Sequence, residues 1–268
     1  MVFSPVIFGN EVNMNILFIG DVVGEKGCEF LEKQIYAIKN KYDISLTVIN
    51  GENSALGNGI TPASYQHLVS LGADIITTGN HCFRRRESLP LFDENETLLR
   101  PANYPEGVLG HGYTTVDLGF CRVAVVNLMG TTYMEPIDNP FICIDSILPK
   151  LDTHNIIVDF HAEATSEKKA MGIYLDGRVT AVLGTHTHVQ TADETILPGG
   201  TAYITDAGMT GAELSVLGVR SELAIEKMKY HAPVKFVESD NPCFLNGVVV
   251  DFDEFKGKAN KIIRIIER

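Results

Sequence analysis

Six short aliphatic runs recur along this chain, with stretches of helical period between several of them, and that alternation is what most constrains its fold. The runs are NILFIGD (15–21), LTVIN (46–50), ADIITTGN (73–80), NIIVDF (155–160), TAVLGT (180–185) and TAYITD (201–206), each bounded by Gly, Asn, Asp or Thr. NIIVDF and TAVLG are almost continuously apolar, as strands buried on both faces are. Between the first two runs, Phe30, Leu31, Ile35 and Ile38 fall near helical spacing and predict a helix over about 26–40. Thr61-Pro62 reads as an N-cap followed by a first helical residue, opening a helix that runs through Leu68 to Leu71. A hairpin-like pair lies at about 113–118 and 122–127, and VKFVES with FLNGVVVDF reads as a closing antiparallel hairpin. A (β/α)₈ barrel needs eight β-then-α units, and these hairpins spoil that count. The expectation is therefore an α/β sandwich with mixed sheets.

The chain has 268 residues and lacks a long Pro- or Ser-rich linker, an internal repeat or a low-complexity tract, which predicts one domain over 14–268. Residues 1–13, before Met14 and the first clear strand, read as a dispensable leader or alternative start. That opening lacks a basic region, and Asn10, Glu11 and Asn13 break its apolar stretches, so it resembles neither a signal peptide nor an anchor. With 22 basic and 34 acidic side chains the formal charge is −12, which argues against long nucleic acids as partners. Five widely spaced cysteines without a C-x-x-C suggest neither a disulfide framework nor a thiolate zinc site, and fit a reducing, cytoplasmic compartment.

The polar residues that close the runs carry the chemistry. Asp21 follows Gly20, Glu52 and Asn53 follow Gly51, Asn80 and His81 follow Gly79, and His161, His186 and His188 follow later apolar runs. In α/β sheets ligands bind outside the carboxyl ends of strands, so these side chains are expected to meet in one cleft. Carboxylate, amide oxygen and imidazole are donors for a divalent ion such as Mn, Fe or Zn, and they suit two ions sharing a carboxylate better than one tetrahedral zinc. His186-Thr187-His188 would aim both imidazoles the same way if the segment were extended and Thr187 pointed elsewhere. Taken singly, each group has a simpler reading: Asp21 as a helix cap, GEN and GNH as Asx turns, the histidines as hydrogen-bonded core residues. Four strand ends carrying donors together weigh against all of these at once.

The order GDVVG (20–24), GEN (51–53), GNH (79–81), RPANYP (100–105), FHAEATSEK (160–168), GTHTHVQTADE (184–194) and TDAGMTG (205–211) resembles the calcineurin-like metallophosphoesterases, and most of all their YmdB-like bacterial branch of cyclic-nucleotide phosphodiesterases. The resemblance covers about 14–266. It implies a four-layer α/β/β/α sandwich holding two metal ions per chain, Fe or Mn first and Zn admitted. It also implies that Asp21, Glu52, Asn53 and His188 surround one ion, that Glu52 bridges to a second held by Asn80, His161 and His186, and that His81 is the acid. The chain departs from the branch's pattern at Gly27-Cys28, at Cys82-Phe83-Arg84-Arg85-Arg86 and in TDAGMTGA, which touch the pocket rim and not the ligands.

A phosphodiester is anionic and a poor electrophile, and two cations about 3.5–4 Å apart both neutralise it and lower the pKa of a water. His81, next to Asn80 in the chain, could then protonate the leaving oxygen near neutral pH. The expected activity is hydrolysis of small phosphodiesters, in particular 2′,3′-cyclic nucleotides, with a homo-oligomer expected on base rates. Two other readings share these features. An amidohydrolase-like enzyme also carries H-x-H, but on an early barrel strand. A regulatory protein could bind a nucleotide or a partner in a metal-loaded pocket with slow or incidental hydrolysis, although it has no need of an acid at His81. Arg84–Arg86 reads as either a phosphate contact at the cleft edge or a solvated helix start. Asp159, Glu163, Thr187 and Asp206 stand beside ligands and could orient them.

Overall fold

The computed structural model describes residues 14–268, and the expectation for residues 1–13 lies outside the described residues. In chain order these form β1 (Met14–Ile19), β2 (Asp21–Val22), helix α1 (Gly24–Lys41), β3 (Ile44–Asn50), α2 (Pro62–Ser70), β4 (Ile75–Thr77), α3 (Leu89–Glu94), β5 (Tyr113–Asp117), β6 (Arg122–Met129), α4 (Pro140–Ile147), β7 (Ile156–His161), α5 (Thr165–Tyr174), β8 (Ala181–Thr185), β9 (Thr195–Ile196), β10 (Ala202–Ile204), β11 (Met209–Ala212), α6 (Ser221–Tyr230), β12 (Cys243–Asp253) and β13 (Lys258–Glu267). One sheet runs β2-β11-β12-β1-β3-β4 with β13 on β12, and the other runs β5-β6-β7-β8-β10-β9. Both are mixed: β1, β3 and β4 are parallel while β12 opposes β1, and β6, β7, β8 and β10 are parallel while β5 and β9 oppose their neighbours.

Side-chain alternation along the strands separates three apolar layers. Phe18, Val48 and Ile75 of the first sheet pack against Val125, Ile157 and Leu183 of the second. On the far side of the first sheet, Leu17, Ile19 and Ile49 meet Leu31, Ile35 and Ile38 of α1 and Leu68 of α2. On the far side of the second, Val126, Val158 and Phe160 meet Ile144 and Ile147 of α4 and Met171 of α5. The layers are helix, sheet, sheet, helix, as expected. Burying each such side chain is worth roughly 1.5–3 kcal/mol, so the inner faces of both sheets fix how the strand ends stand to one another.

The helix starts agree with the sequence. Thr61 caps α2, with its side chain accepting from Ser64 N at 3.2 Å, and Ser64 Oγ accepting in return from Thr61 N at 3.0 Å. The closing hairpin does not. It is β12 with β13, registered Leu245 to Glu267 and Val250 to Ile262, and VKFVES is not a strand. Residues 234–239 follow Pro233 and make a single bridge, Val219 to Glu238, instead of a ladder.

Candidate metal centre

The carboxyl ends of β1, β3, β4, β7 and β8 carry the expected donors into one cluster. Asp21, Glu52, Asn53 and His161 are buried, while Asn80, His81, His186 and His188 are partly buried. Gly79 is required there, because a Cβ on it would stand 2.2 Å from His161 Cδ2. His161 Nε2 lies 3.2 Å from Glu52 Oε1, 3.0 Å from Asn80 Oδ1 and 3.0 Å from His186 Nδ1. Ligating atoms of Glu52, His161 and His186 all fall within 4.8 Å of one another. Glu52 also reaches the second half of the cluster: its Oε1 is 3.1 Å from Asn53 Nδ2 and 3.3 Å from His81 Nδ1, and its Oε2 accepts from the His81 backbone N–H at 3.0 Å. Asp21 completes that half, with Oδ1 at 3.3 Å from Asn53 Nδ2 and 3.6 Å from His188 Nε2.

Proton positions follow from the outer contacts. The Thr185 hydroxyl donates to Asp159 Oδ1 at 2.7 Å, so its oxygen accepts from His161 Nδ1 at 2.9 Å and Nε2 faces the cluster. His186 Nε2 lies 3.1 Å from Glu163 Oε2, so that nitrogen holds the ring's proton and Nδ1 presents its lone pair to His161. Nε2 of His161 and Nδ1 of His186 thus converge with an amide oxygen and a carboxylate on one point. Such a donor set is stable around a cation, and the residues fit a bound metal ion. His188 adds a buried Nδ1 without a hydrogen-bond partner.

The electrostatics favour positive charge at that point. Burial lowers the His161 pKa, but Glu52, Asp21 and Asp159 outweigh it and lift the imidazole to about 9. Burial and the neighbouring His161 push His186 down to about 4. Burial pushes Asp159 up to about 6, even though Thr77 donates to its Oδ2 at 2.5 Å and Asn50 at 3.1 Å.

One local expectation needs correction, and one simpler alternative falls away. The 186–188 segment is not extended, since His186 has φ 101° and His188 φ 63°, both left-handed. The histidines still enter the cluster because Thr187 turns away, its N–H and hydroxyl both donating to Asp206 Oδ2 at 3.1 and 2.8 Å. Asp21 does not cap α1, whose N-cap is Val23. Asn53, for its part, aims Nδ2 at Asp21, Glu52 and His188 and its Oδ1 at His81 Nδ1, 3.0 Å away.

The comparisons with known proteins bear on the same stretch of chain. The model of the YmdB-like protein family matches residues 17–265. This chain belongs to the YmdB-like family. A relative from Bacillus subtilis (strain 168), named a 2′,3′-cyclic-nucleotide 2′-phosphodiesterase, is 48% identical over 255 residues, 94% of this chain and 97% of that protein. A crystal structure of a hypothetical protein from Thermus thermophilus matches with a TM-score of 0.90 at 38% identity, covering 95% of this chain and 100% of that one. The crystal structure of a novel phosphatase from Mycoplasma pneumoniae matches with a TM-score of 0.90 at 36% identity, covering 95% and 94%.

The YmdB-like cluster opens into a cavity of about 760 Å³ whose lining includes Glu52, Asn53, His81, Glu163, His186 and His188. Sequence reasoning missed most of the remaining lining, which comes from 217–219 and 235–238. It also missed Lys168, a buried lysine in α5 whose ammonium pairs with Asp206. Arg85 is not a phosphate ligand here: its guanidinium donates to Asn58 O at 2.9 Å and to Leu56 O, holding the loop beside His81. Cys82 is core packing, with its thiol pushed up to about 12 chiefly by burial. Among the described residues no helix is long and apolar enough to cross a membrane.

Proposed function

We propose that this chain is a dimetal-dependent phosphodiesterase that hydrolyses small phosphodiesters, specifically 2′,3′-cyclic nucleotides, with His81 as general acid. The observation that carries the reading is the convergence of Glu52, Asn80, His161 and His186 on one point at the strand ends. The activity named for the Bacillus subtilis relative supports the substrate class.

Asn80, His161 and His186 would hold one ion, Asp21, Asn53 and His188 the other, and Glu52 would serve both. Asn53 would ligate through Oδ1, the atom that here accepts from His81. Fe or Mn suits this mixture of oxygen and nitrogen donors, with Zn also admitted. When bound, two such ions neutralise the phosphoryl oxygens and make water a stronger nucleophile at neutral pH.

The chain's own groups do the rest. His81 Nδ1 faces Asn53 Oδ1 at 3.0 Å and Glu52 Oε1 at 3.3 Å, and these two acceptors orient the ring. That leaves Nε2 at the cavity, 3.4 Å from Asn58 Nδ2. The acid is the doubly protonated ring: as the water oxygen joins phosphorus, releasing a proton to solvent, and the ester P–O bond breaks, Nε2 passes its proton to the departing oxygen and the ring is left neutral. Thr185 and Asp159 keep the His161 tautomer, and Glu163 keeps that of His186.

The test pairs elemental analysis of protein purified without chelator with hydrolysis of a 2′,3′-cyclic nucleotide, a 3′,5′-cyclic nucleotide and an aryl phosphodiester. About two ions per chain and turnover that chelation abolishes are expected, with the 2′,3′-cyclic substrate preferred. Ions without turnover would remove the catalytic reading, and protein that takes up no ions on reconstitution would remove the ligand assignment.

A further inference from the structure

The cavity is far larger than a phosphodiester group needs, and the part of its lining away from the donors is apolar. Leu217, Val219, Phe236 and Val237 form that wall, and Leu56 stands at the mouth. Leu56 is 71% exposed and Phe236 46%, so their apolar surface faces the cavity and solvent and not a core.

The wall is built and not a loose rim. Val219 bridges Glu238, Arg220 N donates to Val237 O at 3.0 Å, and Ser239 N donates to Gly218 O at 2.8 Å. Glu238 in turn packs on the first turn of α1: Gly24 has φ +67°, and a Cβ there would lie 2.2 Å from Glu238 Oε2. Gly24 is three residues past Asp21 of β2, so the wall packs on the helix that directly follows the strand carrying that carboxylate. Leu56 is held just as firmly by the Arg85 guanidinium on the carbonyls of Leu56 and Asn58. Phe236 has Lys227 Nζ 5.1 Å from its ring centroid. At an exposed site such a cation–π contact favours this placement of the ring.

A fixed, apolar wall with an aromatic ring, set beside an anion-binding cluster, suits a flat aromatic group joined to a phosphate by a short linker. We propose that this wall is the nucleobase subsite, with Phe236 giving the stacking face. The inference rests on the phosphodiesterase reading and deepens it. Asn58, Lys235 and Glu238 are the polar side chains that the lining offers beside this wall, too few to read the Watson–Crick edges of four bases, so the site takes purine and pyrimidine nucleoside 2′,3′-cyclic phosphates with little discrimination.

The experiment compares metal-loaded wild type, Phe236→Ala and Phe236→Tyr on adenosine and uridine 2′,3′-cyclic phosphates and on 1-O-methylribose 2′,3′-cyclic phosphate, which carries no base. Wild type is expected to favour the nucleotides in kcat/KM by about tenfold or more, the scale of one base–aromatic stack. Phe236→Ala should collapse that preference ratio about tenfold and Phe236→Tyr should keep it, with both variants matching wild type in metal content and melting temperature. A preference ratio that Phe236→Ala leaves within about twofold of wild type, or a wild type indifferent to the base, overturns the subsite while the phosphodiesterase stands. Wild type inert on all three substrates overturns the phosphodiesterase reading, and the subsite with it.

Discussion

Lys168 Nζ lies 2.6 Å from Asp206 Oδ2 and 2.7 Å from the carbonyl oxygen of Thr185, so one buried ammonium ties α5 both to the start of the turn that carries His186 and His188 and to the carboxylate that holds Thr187 within it. The same Asp206 oxygen accepts from Thr187, and the other accepts from Gly208 N at 2.9 Å. Two histidines in left-handed backbone need surroundings that over-determine them, and this pair is what supplies that constraint.

Removing one partner should therefore cost far more than removing both. Lys168→Met leaves a buried carboxylate without its counter-ion and is expected to destabilise by about 3–5 kcal/mol, with Asp206→Asn alone costing less. The double variant should recover a good part of the loss in chemical unfolding, while its metal affinity stays reduced because the 185–188 turn is slack. Strictly additive losses would show that the two groups act independently.

His81→Ala should keep its ions and lose turnover. A positioned acid is worth about 10²–10⁴-fold, and the alanine variant keeps the backbone N–H that His81 donates to Glu52 Oε2 at 3.0 Å, so the proposed ligands stay anchored without the ring. Metal analysis beside steady-state kinetics checks it. A parallel fall in metal content would make His81 a ligand instead.

Chelation should lower the melting temperature as well as abolish activity. His161 Nε2 and His186 Nδ1 lie 3.0 Å apart beside a buried carboxylate, and on losing its ions the folded state loses whatever binding contributed, about 2.7 kcal/mol at a free-ion concentration a hundred times Kd. Differential scanning calorimetry with and without added Mn measures the shift. An unchanged melting temperature would argue that the converging donors hold no ion.

Much of this was legible in the sequence because the donors follow glycines at the ends of apolar runs, a local signal that the parallel strands then gather. Asp206 was visible as a neighbour of ligands, but Lys168 in SEK looks like any helix lysine until α5 packs and buries it. Strand β13 was missed because Lys258–Glu267 places its isoleucines in adjacent pairs, which obscures a period of two. The wall was missed for a different reason. Leu217, Phe236 and Val237 sit in irregular backbone, and only the bridge from Val219 to Glu238 turns them toward strand ends from far earlier in the chain.

Arg85 offers a test of how the mouth of the cavity is held. Arg85→Ala frees the carbonyls of Leu56 and Asn58, and with them the loop beside His81, so KM should rise by about tenfold with a smaller change in kcat. Arg84→Ala, at an exposed neighbour, should leave both constants near wild type. Equal effects of the two would mean that the run acts as a diffuse positive patch.

Glu163 separates positioning from ligation. Its Oε2 lies 3.1 Å from His186 Nε2, outside the meeting point itself, and half of its side chain is exposed. Glu163→Gln keeps a hydrogen-bond acceptor but removes the charge that strengthens the imidazole as a donor, whereas Glu163→Ala removes both. Loss of such an outer partner typically weakens metal affinity by about 10–100-fold, so Glu163→Ala should show low activity that excess ion restores, and Glu163→Gln an intermediate affinity. Titrating activity and melting temperature against ion concentration reads both. A loss in Glu163→Ala that persists at saturating ion would mean the carboxylate acts on substrate, which its place in the cavity lining also allows.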